Sequence, residues 1–94
     1  MKEKKLFEKE IVVIRNKIDK IDDCIVNLLN KRGILAQKIG NLKKKENKDI
    51  QHPQREEEII KRMKKKSKIL NHMNIEKIWK EIIDACKYMQ GLKV

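Results

Sequence analysis

Apolar side chains recur at steps of three and four residues between positions 14 and 42, a stretch that contains no proline. They are Ile14, Ile18, Ile21, Ile25, Leu28, Leu35, Ile39 and Leu42. This spacing keeps side chains on one face of an α-helix and does not fit the alternation of a β-strand. We therefore predict one very long amphipathic helix over about residues 6–45.

The remainder of the chain predicts two shorter helices. The polar segment 45–52 reads as a loop, and Pro53 suits the first position of a helix over about residues 53–66. Asn74 is the expected N-cap of a third helix over about residues 74–90. The fold class is therefore all-α.

The unequal lengths of these helices indicate a homodimer. At ~1.5 Å per residue, the first helix spans roughly 55 to 60 Å, whereas the other two span about 20 and 25 Å. The two short helices cannot cover the whole apolar face of the long one, and soluble monomers rarely expose so large an apolar patch. We expect residues 1–94 to form a single domain with three helices per chain, and the long helices of two chains to pack together.

Charge and composition restrict the classes of function. The 25 Lys and Arg residues exceed the 14 Asp and Glu residues, and the resulting net charge of +11 attracts nucleic acid, anionic lipid or a carboxylate metabolite. Two cysteines are too few for a disulfide framework, and the two histidines lack ligand-type spacing, so no metal site is expected. The absence of a signal-peptide pattern and of a long apolar run favours a cytoplasmic location.

Three basic residues of the long helix are candidates for binding an anion. Arg32 interrupts the apolar face, and a buried charge needs an anionic partner, either Glu56 or Asp22 or a ligand. Lys43 shares that face about 16 Å further along, so the two side chains can close on one small anion. Arg15 lies about 25 Å from Arg32 and roughly 100° around the helix, and reaches such a pocket only in a partner chain. Ordinary solvent-exposed cations would also explain Lys43 and Arg15.

Further candidates lie at the ends of the two short helices. Arg55 and Glu56, close after His52 at the start of the second helix, suit an anionic, hydroxylated ligand, although many helices begin with charged residues. Cys86 and Gln90 share one face of the third helix, where they either complete a pocket or mark the edge of the apolar face. No Ser-His-acid set, activated cysteine or glycine-rich phosphate loop is visible, so any chemistry would rely on fixed cations and hydrogen-bond donors.

Three segments together resemble the all-helical class of chorismate mutases. The first helix of the family resembles the segment IRNKIDKIDDCIVNLLNKRGILAQKIGNLK. The start of its second helix resembles HPQREEEIIKRM, and its closing helix resembles IWKEIIDACKYMQ. The resemblance covers roughly residues 6–91. It implies an intertwined homodimer with active sites shared between chains, and a cofactor-free conversion of chorismate to prephenate in phenylalanine and tyrosine biosynthesis, part of the shikimate pathway.

The resemblance also implies the residues that hold the reacting part of the substrate. Arg32 and the partner's Arg15 would pair with the two substrate carboxylates. Lys43 would bind a carboxylate and the ether oxygen, and Gln90 would donate a hydrogen bond to the same ether oxygen.

Four more residues complete the implied site. Arg55 would support the carboxylate network, Glu56 would accept a hydrogen bond from the ring hydroxyl, and the backbone amide of His52 would donate to that hydroxyl. Cys86 would lie near a carboxylate. Two of these positions depart from the family pattern. At the first, His52 replaces an Asp, which is the better N-cap. Cys86 replaces a Ser, which is the stronger hydrogen-bond donor.

Three other interpretations are compatible with parts of the sequence. An isochorismate pyruvate-lyase of the same fold would use a similar pocket, and the sequence does not distinguish chorismate from isochorismate. A basic helical nucleic-acid-binding protein would explain the charge and the segment 64–68, but no recognition motif appears. A structural coiled coil would favour an apolar residue or Asn at position 32.

Overall fold

The computed structural model describes residues 2–91, so both ends of the predicted domain of residues 1–94 lie outside the described residues. It consists of three α-helices: α1 (Lys2–Lys45), α2 (Pro53–Lys66) and α3 (His72–Met89). The described part of the chain contains no β-strand. An all-α fold with a very long first helix is therefore confirmed. Within residues 2–91, no helix combines the length and the apolar character needed to cross a membrane.

Helix α1 begins four residues earlier than predicted and ends in a left-handed turn. The charged residues that follow Lys2 contain no Gly or Pro, so they continue the helix. At the other end, Asn47 has a φ of 53°, and the Lys48 amide donates to the Lys43 carbonyl over 2.8 Å. Asn tolerates this conformation better than most residues, and the turn satisfies carbonyls that the helix leaves free.

The chain divides into two compact units. The first unit is the part of α1 up to Asn30. Along the predicted apolar face of this unit the side chains are 47% to 62% exposed in the single chain; they are Ile14, Ile18, Ile21, Ile25 and Leu28. Without a partner, this part of the apolar face is therefore in contact with solvent.

The second unit begins at Lys31 and comprises the rest of α1, α2 and α3. Its buried side chains are small or aliphatic: Ala36 on α1, Ile59 on α2, and Ile75, Ile83 and Cys86 on α3. The predicted face residues Leu35, Ile39 and Leu42 stay 49% to 62% exposed. The part of α1 that is buried within the chain therefore carries small residues, Gly33, Ala36 and Gly40, which permit close approach of neighbouring backbone.

The ends of α2 and α3 are defined by local hydrogen bonds. Helix α2 begins at Pro53, as expected. The predicted N-cap of α3 at Asn74 is wrong, because Asn71 is the cap and its Oδ1 accepts a hydrogen bond from the Asn74 amide over 2.8 Å. After α3, Gly91 has a φ of 104°, a left-handed conformation typical of glycine at a helix C-terminus.

Candidate active site

A cavity of about 530 Å³ lies in the second unit, within the usual size range for small-molecule sites. Its lining includes seven of the eight predicted site residues: Arg32, Lys43, His52, Arg55, Glu56, Cys86 and Gln90. The eighth, Arg15, lies in the first unit and is not part of the described lining. Aliphatic side chains complete the wall: Leu35, Ile39, Ile50, Ile59 and Ile83. Charged groups in such an apolar setting interact more strongly than in bulk water.

Arg32 occupies the cavity wall with an aromatic neighbour and not with a carboxylate. Its guanidinium carbon lies 5.7 Å from the centroid of the Trp79 ring, a cation–π distance. Among the described residues, no salt bridge joins Arg32 to an acid, so Glu56 and Asp22 are not its counter-ions. The half-buried guanidinium is therefore available to an anionic ligand.

Lys43 connects α1 to the loop that precedes α2. Its Nζ donates a hydrogen bond to the carbonyl oxygen of Ile50 over 2.9 Å, and both residues are half-buried. An ammonium group carries three donors, so two remain after this contact. The loop carbonyl thus fixes the Lys43 side chain at the cavity without exhausting its capacity to bind a ligand.

The start of α2 is capped by a histidine side chain. Nδ1 of His52 accepts a hydrogen bond from the Arg55 amide over 3.1 Å, and the His52 carbonyl accepts one from the Glu56 amide over 3.1 Å. His52 therefore performs the capping function expected of an Asp. The Arg55 side chain is exposed, and its Nη1 lies 3.8 Å from Oε2 of Glu58. Such a surface pair contributes little stability.

Lys87 is a cavity residue that the sequence analysis missed. Its Nζ lies 2.9 Å from Oε1 of Glu56 and 3.7 Å from Oδ1 of Asp84, and its side chain is 17% exposed. The hydrogen bond to Glu56 is the largest influence and raises the pKa of Lys87 above its ordinary value, although burial opposes this. One signal was present in the sequence, since Lys87 precedes Gln90 by three residues and so shares its helix face.

Gln90 lies where α3 ends and comes into contact with α1. A Cβ added to Gly40 would lie only 2.8 Å from the Cα and 2.9 Å from the backbone oxygen of Gln90, so no larger residue fits without displacement. Oε1 of Gln90 is buried and has no hydrogen-bond partner among the described residues. An unpaired polar atom of this kind is costly unless a ligand or water satisfies it. This oxygen is an acceptor, so a donor group of a ligand or a water molecule can satisfy it.

The chain matches a known protein family. The family model described as chorismate mutase type II matches residues 14–91, which is most of the chain. The chain belongs to this family. Chorismate mutases are isomerases, and the matched region includes all eight predicted site residues, Arg15 among them.

Two further comparisons show how far the similarity to known proteins extends. A bifunctional chorismate mutase/prephenate dehydratase from Aquifex aeolicus is 38% identical over 82 residues, which cover 82% of this chain and 23% of that protein. The chain thus spans about a quarter of the length of that relative. Among solved structures, a conserved hypothetical protein from Pyrococcus furiosus is 35% identical with a TM-score of 0.72, and the match covers 85% of this chain and 93% of that one.

The contact between Gly40 and Gln90 predicts different effects for two glycine substitutions. Gly40→Ala should destabilise the protein by about 1 to 3 kcal/mol, since overpacking against backbone forces a shift. Gly33→Ala is the matched control, because its added Cβ would lie 3.6 Å from Cγ of Met89, an ordinary contact. Replacing a helical Gly by Ala contributes up to about 1 kcal/mol, so Gly33→Ala should be neutral or stabilising. Urea denaturation at one fixed protein concentration measures the change in free energy of unfolding for both variants. Equal changes for the two substitutions would contradict the close contact.

The raised pKa of Lys87 predicts how stability depends on pH. Folding raises this pKa above 10.5, so the stability from its ion pairs is fully present below about pH 10.5. That stability is lost as the pH rises through the folded-state pKa. The difference in free energy of unfolding between wild type and Lys87→Met should therefore be constant from pH 7 to pH 10 and shrink above that range. Denaturation series at several pH values test this, and a difference that grows at high pH would contradict it.

Proposed function

We propose that the protein catalyses the rearrangement of chorismate to prephenate, a cofactor-free pericyclic (Claisen) reaction of phenylalanine and tyrosine biosynthesis. The observation that carries this proposal is the presence of Arg32, Lys43 and Gln90 around one largely apolar cavity. Membership in the type II chorismate mutase family supports it.

Binding of the substrate depends on its two carboxylates. Arg32 has no protein counter-ion among the described residues, and a guanidinium can hold a carboxylate through two parallel hydrogen bonds. Lys43 and the partner's Arg15 supply the other cations. Holding both carboxylates restricts the substrate to the compact conformer in which the bond-forming carbons are close, which removes part of the entropic barrier.

The chemical step needs no acid, base or nucleophile from the protein. One C–O bond breaks as one C–C bond forms, and negative charge develops on the ether oxygen in the transition state. Lys43 and Gln90 donate hydrogen bonds to that oxygen. Because these interactions are stronger in the transition state than in the ground state, they raise the rate and not merely the affinity.

The other predicted residues hold the ring and complete the site. Glu56 accepts a hydrogen bond from the ring hydroxyl, to which the backbone amide of His52 donates. Arg55 contributes positive charge at the mouth of the cavity, and the thiol of Cys86 lies near a carboxylate of the substrate. The buried thiol of Cys86 is a weaker donor than a serine hydroxyl, so its contribution is smaller.

The complete site requires a second copy of the chain. The exposed apolar residues of α1 up to Asn30 form a face that two long helices can bury against each other in an intertwined homodimer. In such a dimer each cavity receives the partner's Arg15. Formation of the dimer therefore has two effects: it buries apolar surface and completes the carboxylate binding site.

Product analysis tests the proposed reaction and separates it from the related lyase. Purified protein is incubated separately with chorismate and with isochorismate, and the products are identified by NMR. We expect prephenate from chorismate and no accelerated release of pyruvate from isochorismate. Pyruvate release alone would favour an isochorismate pyruvate-lyase, and no acceleration with either compound would contradict both activities.

A further inference from the structure

We propose that Lys87 is a positioning residue of the active site, which holds the Glu56 carboxylate toward the ring hydroxyl of the substrate. This inference rests on the proposed function and adds a residue for which the family resemblance implied no role. It starts from the ion pair between Nζ of Lys87 and Oε1 of Glu56, at 2.9 Å, which joins the end of α3 to the first turn of α2.

The pair lines the cavity and is partly shielded from solvent. Both residues belong to the cavity lining, and their side chains are only 17% and 25% exposed for Lys87 and Glu56 respectively. The other ion pair between α2 and α3, Lys64 with Glu76, is longer at 3.3 Å, and its side chains are 31% and 39% exposed. Shielded charges hold each other more firmly than exposed ones, so the Lys87 pair restricts the Glu56 side chain more strongly.

The geometry leaves one oxygen of Glu56 for a ligand. Lys87 occupies Oε1, so Oε2 can accept a hydrogen bond from a hydroxyl group. Without the ammonium, the Glu56 side chain is free to adopt other rotamers, and the substrate must restrict them on binding. Fixing the carboxylate in advance removes that entropic penalty.

Lys87 also offsets a charge conflict within the cavity. A substrate with two carboxylates is repelled by the negative charge of Glu56, and a cation in contact with Glu56 reduces that repulsion. The charged lining residues are four cations and two acids: Arg32, Lys43, Arg55, Lys87, Glu56 and Glu58. Lys87 therefore cancels the charge of the one acid that it contacts in the lining, Glu56.

A double-mutant cycle on kcat and KM tests the proposal, with Lys87→Met, Glu56→Gln and the double variant. Because Glu56 binds the hydroxyl similarly in the ground state and the transition state, Lys87→Met should raise KM about tenfold and change kcat less than about twofold. In the Glu56→Gln background, the same substitution should change KM less than about twofold, since no carboxylate remains to be held. Lys87→Arg should restore most of the loss.

Lys64→Met is the matched control, because it removes the other ion pair between α2 and α3 and leaves the cavity lining unchanged. It should leave KM unaltered even where it lowers the melting temperature. If Lys87→Met fails to fold by circular dichroism, Lys87→Leu replaces it, since it also removes every donor to Glu56.

Each other outcome overturns the proposal. A tenfold rise of KM that persists in the Glu56→Gln background would mean that Lys87 contacts the substrate itself. A fall in melting temperature without a change in KM, as for Lys64→Met, would mean that Lys87 only stabilises the fold. A wild-type protein that does not convert chorismate would instead refute the proposed function, and the role of Lys87 with it.

Discussion

Replacing Gln90 by alanine is expected to lower kcat with chorismate about a hundred- to a thousandfold, the typical effect of removing one donor to a developing oxyanion. The substitution deletes the carboxamide that would donate to the ether oxygen, whereas the carboxylate-binding cations remain. KM should change much less than kcat, because charge on the ether oxygen develops only in the transition state. Steady-state kinetics of purified Gln90→Ala, compared with wild type, measure both constants.

Gln54→Ala is the matched control for this substitution. Gln54 is an exposed residue of the first turn of α2 and does not line the described cavity. It should retain the wild-type kcat. If Gln90→Ala retained kcat as well, or lost activity only through a raised KM, the role of Gln90 in stabilising the transition state would be refuted.

Mixing two inactive variants is expected to restore activity. Arg15→Ala and Arg32→Ala each remove one carboxylate ligand from every site, so each homodimer should lose at least about tenfold in kcat/KM. If a site combines Arg32 of one chain with the partner's Arg15, a mixed dimer contains one intact site and one site that lacks both arginines. After unfolding and refolding together in equal amounts, the mixture should reach about a quarter of wild-type activity.

The controls for this experiment are the two variants refolded separately, which should stay inactive. Size-exclusion chromatography checks that all samples have the same oligomeric state. A mixture no more active than its components, although mixed dimers form, would show that the two arginines do not act in one site shared between chains.

The helices of this protein could be predicted from sequence more readily than the contacts between them. The spacing of apolar residues and the position of Pro53 depend on local periodicity and backbone geometry, which the sequence displays directly. The start of α3 was misplaced because Asn71 and Asn74 are both good caps. Each side chain could accept a hydrogen bond from the amide three residues further along, and the sequence does not reveal that Asn71 is the residue that does so.

Several features of the cavity depend on tertiary packing and therefore escaped prediction. Arg32 lies among apolar residues in the sequence, but its contact with Trp79 on α3 exists only in the folded chain. Lys87 looked like one of many surface lysines until α2 brought Glu56 within 2.9 Å of it. The role of Gly40 likewise depends on how closely the end of α3 approaches α1. Arg15 stays a prediction, since it concerns a second chain.

The proposed activity is measured as the rate of prephenate formation from chorismate by the wild-type protein, compared with the same solution without protein. We expect an acceleration of about a millionfold or more, within the range typical of enzymes, that needs no added metal or cofactor and persists in the presence of a chelator. A rate indistinguishable from the uncatalysed reaction, at protein concentrations where the protein is folded, would contradict it.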